Sequence, residues 1–121
     1  MHADELTPYT EFAVHVAPNV AGGTDVAIMG ELDLATLAEV QDALGKALDA
    51  EGPVRIDMRA CSFVDSRGIA ALVGTALRLR EQGRDLTMDG VQDRVMRTLD
   101  RAGITQMDHL DVVPQPRPGP A

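Results

Sequence analysis

Two short stretches place oxygen-bearing side chains where a strand should give way to a helix. One is Gly30-Glu31-Leu32-Asp33, the other Asp65-Ser66-Arg67-Gly68. In each, an apolar run stops, small polar groups follow, and apolar residues restart with helical spacing. A carboxylate or hydroxyl at such a join can accept hydrogen bonds from the unpaired amides of the first helical turn, a contribution of about 1 kcal/mol. Capping by Asp33 at the first join, and by Asp65 or Ser66 at the second, would use one polar residue each. It does not ask for the whole string Asp-Ser-x-Gly with a helix restarting directly behind it.

Other chemistry is poorly provided for. The histidines are His2, His15 and His109, and none has a partner at a metal-ligand spacing, so no metal site is expected. No G-x-S-x-G elbow supports a serine nucleophile, and neither G-x-x-x-x-G-K-[ST] nor G-x-G-x-x-G occurs to cradle a phosphate. No catalytic residue, no enzyme activity and no cofactor is therefore expected. The single cysteine, Cys61, excludes an internal disulfide and sits in an apolar setting that predicts a small buried side chain.

The elements that would position the two joins can be read from hydrophobic periodicity. Phe12 to Ala17 alternates, with Phe12, Val14 and Val16 on one face, and predicts a strand. A connection from Pro18 to Thr24 can turn a hairpin into a second strand over 25–30. From Leu34 the period changes: Leu34, Leu37, Val40, Leu44, Ala47 and Leu48 predict a helix ending near Ala50, with Asp33 as its N-cap. Val54, Ile56 and Met58 mark a third strand. Ile69, Leu72, Val73, Ala76 and Leu79 form a second helical stripe, closed by Gly83. A strand over 85–88, a helix carrying Val95, Met96, Leu99 and Ala102 and stopped by Gly103, and a short strand near 110–113 complete the order.

Strands separated by helices require crossover connections. Because three strands alternate rather than run apolar throughout, only one sheet face should be covered. The expected fold is α/β: a small mixed β-sheet with an antiparallel first pair, then β-α crossovers, and helices mainly on one face. His15, Arg55, Asp57 and Thr87 should look out from the other. Residues 1–11 read as a loose lead-in, 12–113 as one domain and 114–121 as a proline-rich disordered tail.

The 121 residues suit one domain with a modest core, built from aliphatic side chains because aromatics are only 2%. Nineteen acids against eleven bases give a net charge of −8, which disfavours nucleic acid and anionic membrane surfaces and favours a protein partner with a basic face. No signal peptide or membrane-spanning run is visible, so a cytoplasmic location is expected.

Three stretches carry a resemblance: "GELDLAT" at 30–36, "RIDMRACSFVDSRGIAALV" at 55–73 and "LDRAGI" at 99–104. Together, in this order, they resemble the STAS domain, shared by anti-sigma-factor antagonists and sulphate transporters, over Phe12 to about Val113. The resemblance implies a stand-alone antagonist that binds an anti-sigma factor and so releases a sigma factor. It implies that the anti-sigma factor is a serine kinase which phosphorylates Ser66, that a serine phosphatase reverses this, and that Asp33 lies near Ser66. The expected partner-binding set is Asp33, Asp65, Ser66, Arg67 and Gly68. Ser62, the nearest competing hydroxyl, should lie closer to the core because it precedes Phe63 and Val64. Arg67 stands where many phosphorylated relatives carry a small residue, and the family's usual C-terminal helix is hard to find. The alternative is an unphosphorylated STAS scaffold or adaptor in a signalling or transporter assembly, with Ser66 only a cap.

Overall fold

A computed structural model describes residues 11–116. Strand β1 (Ala13–Pro18) pairs antiparallel with β2 (Thr24–Leu32), from Ala13 opposite Met29 to Pro18 opposite Thr24. The hairpin between them is held by Asn19, whose Oδ1 accepts from the amides of Ala21 at 3.1 Å and Gly23 at 2.8 Å. The chain continues through α1 (Leu37–Asp49), β3 (Val54–Asp57), β4 (Cys61–Val64), α2 (Ser66–Glu81), β5 (Leu86–Val91), α3 (Asp93–Arg101), a single 3-10 turn at Ile104–Gln106 and β6 (Leu110–Pro114). All pairings after the first are parallel, and the sheet order is β1-β2-β3-β5-β6. The mixed α/β fold expected from the sequence is the one observed.

Strand alternation decides which face is covered. Along β2, Val26, Ile28 and Leu32 are buried, and Val54, Ile56 and Met58, then Leu86 and Met88, continue the same layer. Val40, Leu44 and Ala47 of α1, Leu72, Ala76 and Leu79 of α2, and Val95 and Leu99 of α3 complete one aliphatic core. The intervening strand residues face the other way. There Arg55 lies between two acids, hydrogen-bonded to Asp89 and 3.9 Å from Asp25, while Arg59 meets Asp57 at 2.8 Å. The hydrogen bond from Arg59 holds the Asp57 carboxyl below its ordinary range.

Strand β4 was not anticipated. The alternation of Val54, Ile56 and Met58 predicts one strand ahead of the second join, but the chain turns at Arg59–Ala60 and re-enters the sheet. β3 pairs with the first half of β2, Thr24 to Ala27, and β4 with its second half, Gly30 to Leu32. The join to α2 is therefore the end of β4.

Both ends of the helical layer are closed in recognisable ways. Gly83 and Gly103 adopt positive φ of 69° and 77°, the left-handed conformation that ends α2 and α3. Beyond Gly83, Arg84 reaches across to α1. Its Nε donates to the Gly52 carbonyl at 2.8 Å, and its two terminal nitrogens donate to Leu48 at 3.1 Å and Ala47 at 2.9 Å. These bonds tie the end of α2 to carbonyls in and just beyond the last turn of α1.

The C-terminal strand includes Pro114, and the Gln115 amide still donates to the Val91 carbonyl at 2.8 Å, so the sheet reaches into the stretch read as tail. Residues 1–10 and 117–121, most of the expected lead-in and tail, lie outside the described residues.

Candidate functional site

The second join is built by packing and capping together. Asp65 has extended backbone, and its Oδ1 accepts from the amides of Arg67 at 3.0 Å and Gly68 at 2.9 Å. Asp65 is the N-cap, which decides between the two residues the sequence left open. Ser66 is the first residue of the helix, its side chain is exposed, and its hydroxyl is not spent on the cap. The reading of Ser66 as a cap is thereby corrected.

Gly68 has a different task. A Cβ there would stand 2.5 Å from Leu32 Cδ2 and 2.8 Å from Val64 Cγ1. The first turn of α2 lies directly on the ends of β2 and β4, and only glycine permits that approach. Gly68 is buried, so it presents no side chain to a partner. Its part in Asp-Ser-x-Gly is to let the helix start tight against the sheet with Ser66 facing outward.

The first join differs from its expected form. α1 begins at Leu37, and Thr36 stands at its N-cap position without a side-chain cap bond. Asp33 lies four residues earlier and instead folds a turn: its Oδ1 accepts from the Ala35 amide at 3.0 Å. Thr36 ties the loop together. Its Oγ1 accepts from the Asp33 amide at 3.1 Å and donates to the Glu31 carbonyl at 2.8 Å. Asp33 is thus not the helix cap. Leu34, expected as the first buried position of the helical stripe, is 63% exposed because it belongs to this turn.

The two joins are neighbours. Leu32 pairs with Val64 in the parallel register, and the Asp65 amide donates to the Leu32 carbonyl at 3.0 Å. Parallel strands stand about 4.8 Å apart, so the loops that follow them share one rim. Asp33, Leu34, Asp65, Ser66 and Arg67 are gathered there, with Arg67 exposed. Below Ser66, Ile69 and Val73 are half-buried, and Leu77 is exposed about 16 Å along the helix. Leu34 is the exposed apolar residue of the rim that sequence reasoning missed.

Two nearby groups differ in accessibility. Ser62 is exposed rather than close to the core. The register shifts between Gly30 and Glu31, opposite Cys61 and Phe63, and Ser62 is the extra residue of that bulge. Cys61 is buried as expected, and burial pushes its thiol up to about 11, so it stays protonated and unreactive near neutral pH. Among the described residues, no group of histidine, cysteine and carboxylate side chains could hold a metal ion. No described helix is long and apolar enough to cross a membrane.

The family model for "Mlab, STAS domain" matches residues 19–114, most of the chain and both joins. The chain belongs to the STAS domain family. Among curated relatives of this STAS protein, the anti-sigma-B factor antagonist of Listeria monocytogenes serovar 1/2a is 33% identical over 84 residues, 69% of this chain and 74% of the relative. Among solved structures, an anti-sigma factor antagonist from Mycobacterium paratuberculosis superposes with a TM-score of 0.70 at 24% identity, covering 84% of this chain and 86% of that one. The Bacillus cell-fate determinant SpoIIAA in its phosphorylated form gives 0.64 at 16% identity, covering 83% and 90%.

Proposed function

We propose that this STAS protein is an anti-sigma-factor antagonist. Its rim binds an anti-sigma factor, a sigma factor is released, and phosphorylation of Ser66 by that anti-sigma factor, acting as a serine kinase, breaks the complex. A serine phosphatase restores binding, and the exchange takes place in the cytoplasm. The observation that carries this reading is the free, exposed hydroxyl of Ser66 at the start of α2, released from capping by Asp65. The antagonist named in Listeria and the phosphorylated SpoIIAA support it.

The electrostatics explain how one group could act as a switch. Phosphorylation adds a charge of about −1.5 to −2. Helix N-termini ordinarily welcome anions. Here Asp65 Oδ1 already holds the Arg67 and Gly68 amides, so those donors are taken. The phosphate would add to the carboxylates of Asp33 and Asp65 on a rim that a partner must approach and desolvate. A partner surface fitted to a neutral hydroxyl would have to bury that dianion without a counter-charge, and each ~1.4 kcal/mol of such desolvation cost lowers affinity tenfold. No refolding is needed. Arg67 adds an exposed cation to this rim, a second cation, Arg94, lies over the Phe63 ring, and in this reading Arg67 points outward to an acidic patch on the partner.

The decisive experiment uses Ser66→Ala and Ser66→Glu as baits in the native cytoplasm, followed by calorimetry with the captured anti-sigma factor. Ser66→Ala should bind as the unmodified protein does and Ser66→Glu should bind at least tenfold more weakly. Mass spectrometry after incubation with ATP should place phosphate on Ser66 and leave Ser62 bare. Equal affinity of the two variants, or phosphate on Ser62, would defeat the proposal. Equal binding of both variants to a transporter subunit would favour the scaffold alternative.

A further inference from the structure

We infer that Leu34 is an apolar anchor, held out by the Asp33–Thr36 loop for the same partner that reads Ser66. The inference deepens the antagonist reading and rests on it for the identity of the partner. Leucine is poorly placed in water, yet Leu34 is 63% exposed on the rim that carries Ser66. The loop does not need it. The Asp33 amide is held by Thr36 Oγ1, the Ala35 amide by Asp33 Oδ1, and the Thr36 amide donates to the Asp33 carbonyl at 3.1 Å. Thr36 Oγ1 also fixes the loop to the Glu31 carbonyl. Polar groups on both sides of Leu34 define the backbone, so its side chain is displayed from a formed turn.

A displayed side chain on a formed turn loses little freedom when a partner covers it, so more of its burial appears as affinity. Its surroundings define the pocket. Glu31, Asp33 and Asp65 place three carboxylates around the two neighbouring strand ends. The matching surface is an apolar pocket on the anti-sigma factor with lysine or arginine at its edge. Thr36 is a positioning residue: it acts on the partner only through the loop it closes.

The test is titration of the captured anti-sigma factor against the full chain by calorimetry, with thermal melts beside it. Leu34→Ser should bind about tenfold or more weakly, the scale of losing one buried leucine, with an unchanged melting temperature. Thr36→Val should lose several-fold, and Thr36→Ser, which keeps the hydroxyl, should recover it. Wild-type affinity for Leu34→Ser, within twofold, overturns the inference. So does a sedimentation result in which Leu34→Ser turns a dimer into a monomer, since the leucine would then seal two copies of this chain. Ser66→Glu is measured in parallel. Weak binding by Leu34→Ser with none of the expected effect from Ser66→Glu leaves the anchor standing and removes the switch. The opposite pattern removes the anchor alone, and absence of any binding by the wild-type chain removes both.

Discussion

The two strand-to-helix joins look alike in sequence and are built on different principles. At each, an aspartate precedes an amphipathic stripe. Asp65 directly holds the Arg67 and Gly68 amides, two of the free donors in the first turn of α2. Asp33 stands one turn short of α1 and folds a loop whose key hydrogen bonds belong to Thr36. The difference follows from what lies beneath each helix start. Gly68 lets α2 begin in contact with Leu32 and Val64, so no residues are available for a connecting turn. Before α1 the chain instead inserts a turn, Asp33 to Thr36, ahead of the buried Val40. One join fixes a serine rigidly, and the other displays a loop beside it.

Substitutions can break this contrast, beginning with the greatest expected effect. Gly68→Ala drives a methyl into Leu32 and Val64 and should cost about 2–3 kcal/mol in urea unfolding, within the range for overpacked sites. A loss under about 0.5 kcal/mol would mean that α2 slides easily and that its tight start is not a constraint. Asp65→Ala removes a two-amide cap and should cost about 1–2 kcal/mol, with Asp65→Asn recovering most of it. Gly74, in the same helix as Gly68, has nothing within 4 Å of its missing Cβ. Gly74→Ala should therefore stabilise by roughly 0.5–1 kcal/mol, the ordinary helix-propensity gain, and the opposite sign in the same unfolding assay would contradict the packing described. Asp33→Ala should have the smallest effect on folding, about 0.5 kcal/mol, since the Thr36 bonds remain, while its affinity for the partner falls more than its stability does. Equal, proportionate losses in both would reduce Asp33 to a structural residue.

Much of the fold was legible because hydrophobic period is a local signal. The antiparallel hairpin, the three helices and the aliphatic core residues follow from alternation and from three- and four-residue spacing. β4 was not, because it has only four residues and the bulge at Ser62 breaks its alternation. The same bulge turned Ser62 outward against expectation. The start of α1 was misread because Leu34 falls in phase with Leu37 and Val40, so a non-helical turn continued a helical pattern. At the site, the motif residues were visible but their division of labour was not. That Asp65 rather than Ser66 caps depends on backbone geometry, and the need for glycine at 68 arises from Leu32, thirty-six positions away in the chain.

The grip of Arg84 on α1 has a bearing on how such a protein can change over generations. Besides a bond to the Gln82 side chain, it donates to three main-chain carbonyls, at Ala47, Leu48 and Gly52. Every amino acid supplies that carbonyl, so a replacement at Leu48 keeps the receiving group, whereas Gly52, with φ of 82° and a would-be Cβ 2.5 Å from the Gly22 carbonyl oxygen, is held to glycine by its own backbone. The end of the molecule far from Ser66 thus concentrates its mutational sensitivity in the Arg84 donor and the Gly52 turn that receives it. The rim, whose recognition depends on side chains such as Asp33, Leu34 and Arg67, spreads it over many positions and is free to drift towards a new partner while the clasp at the other end holds the helices in place.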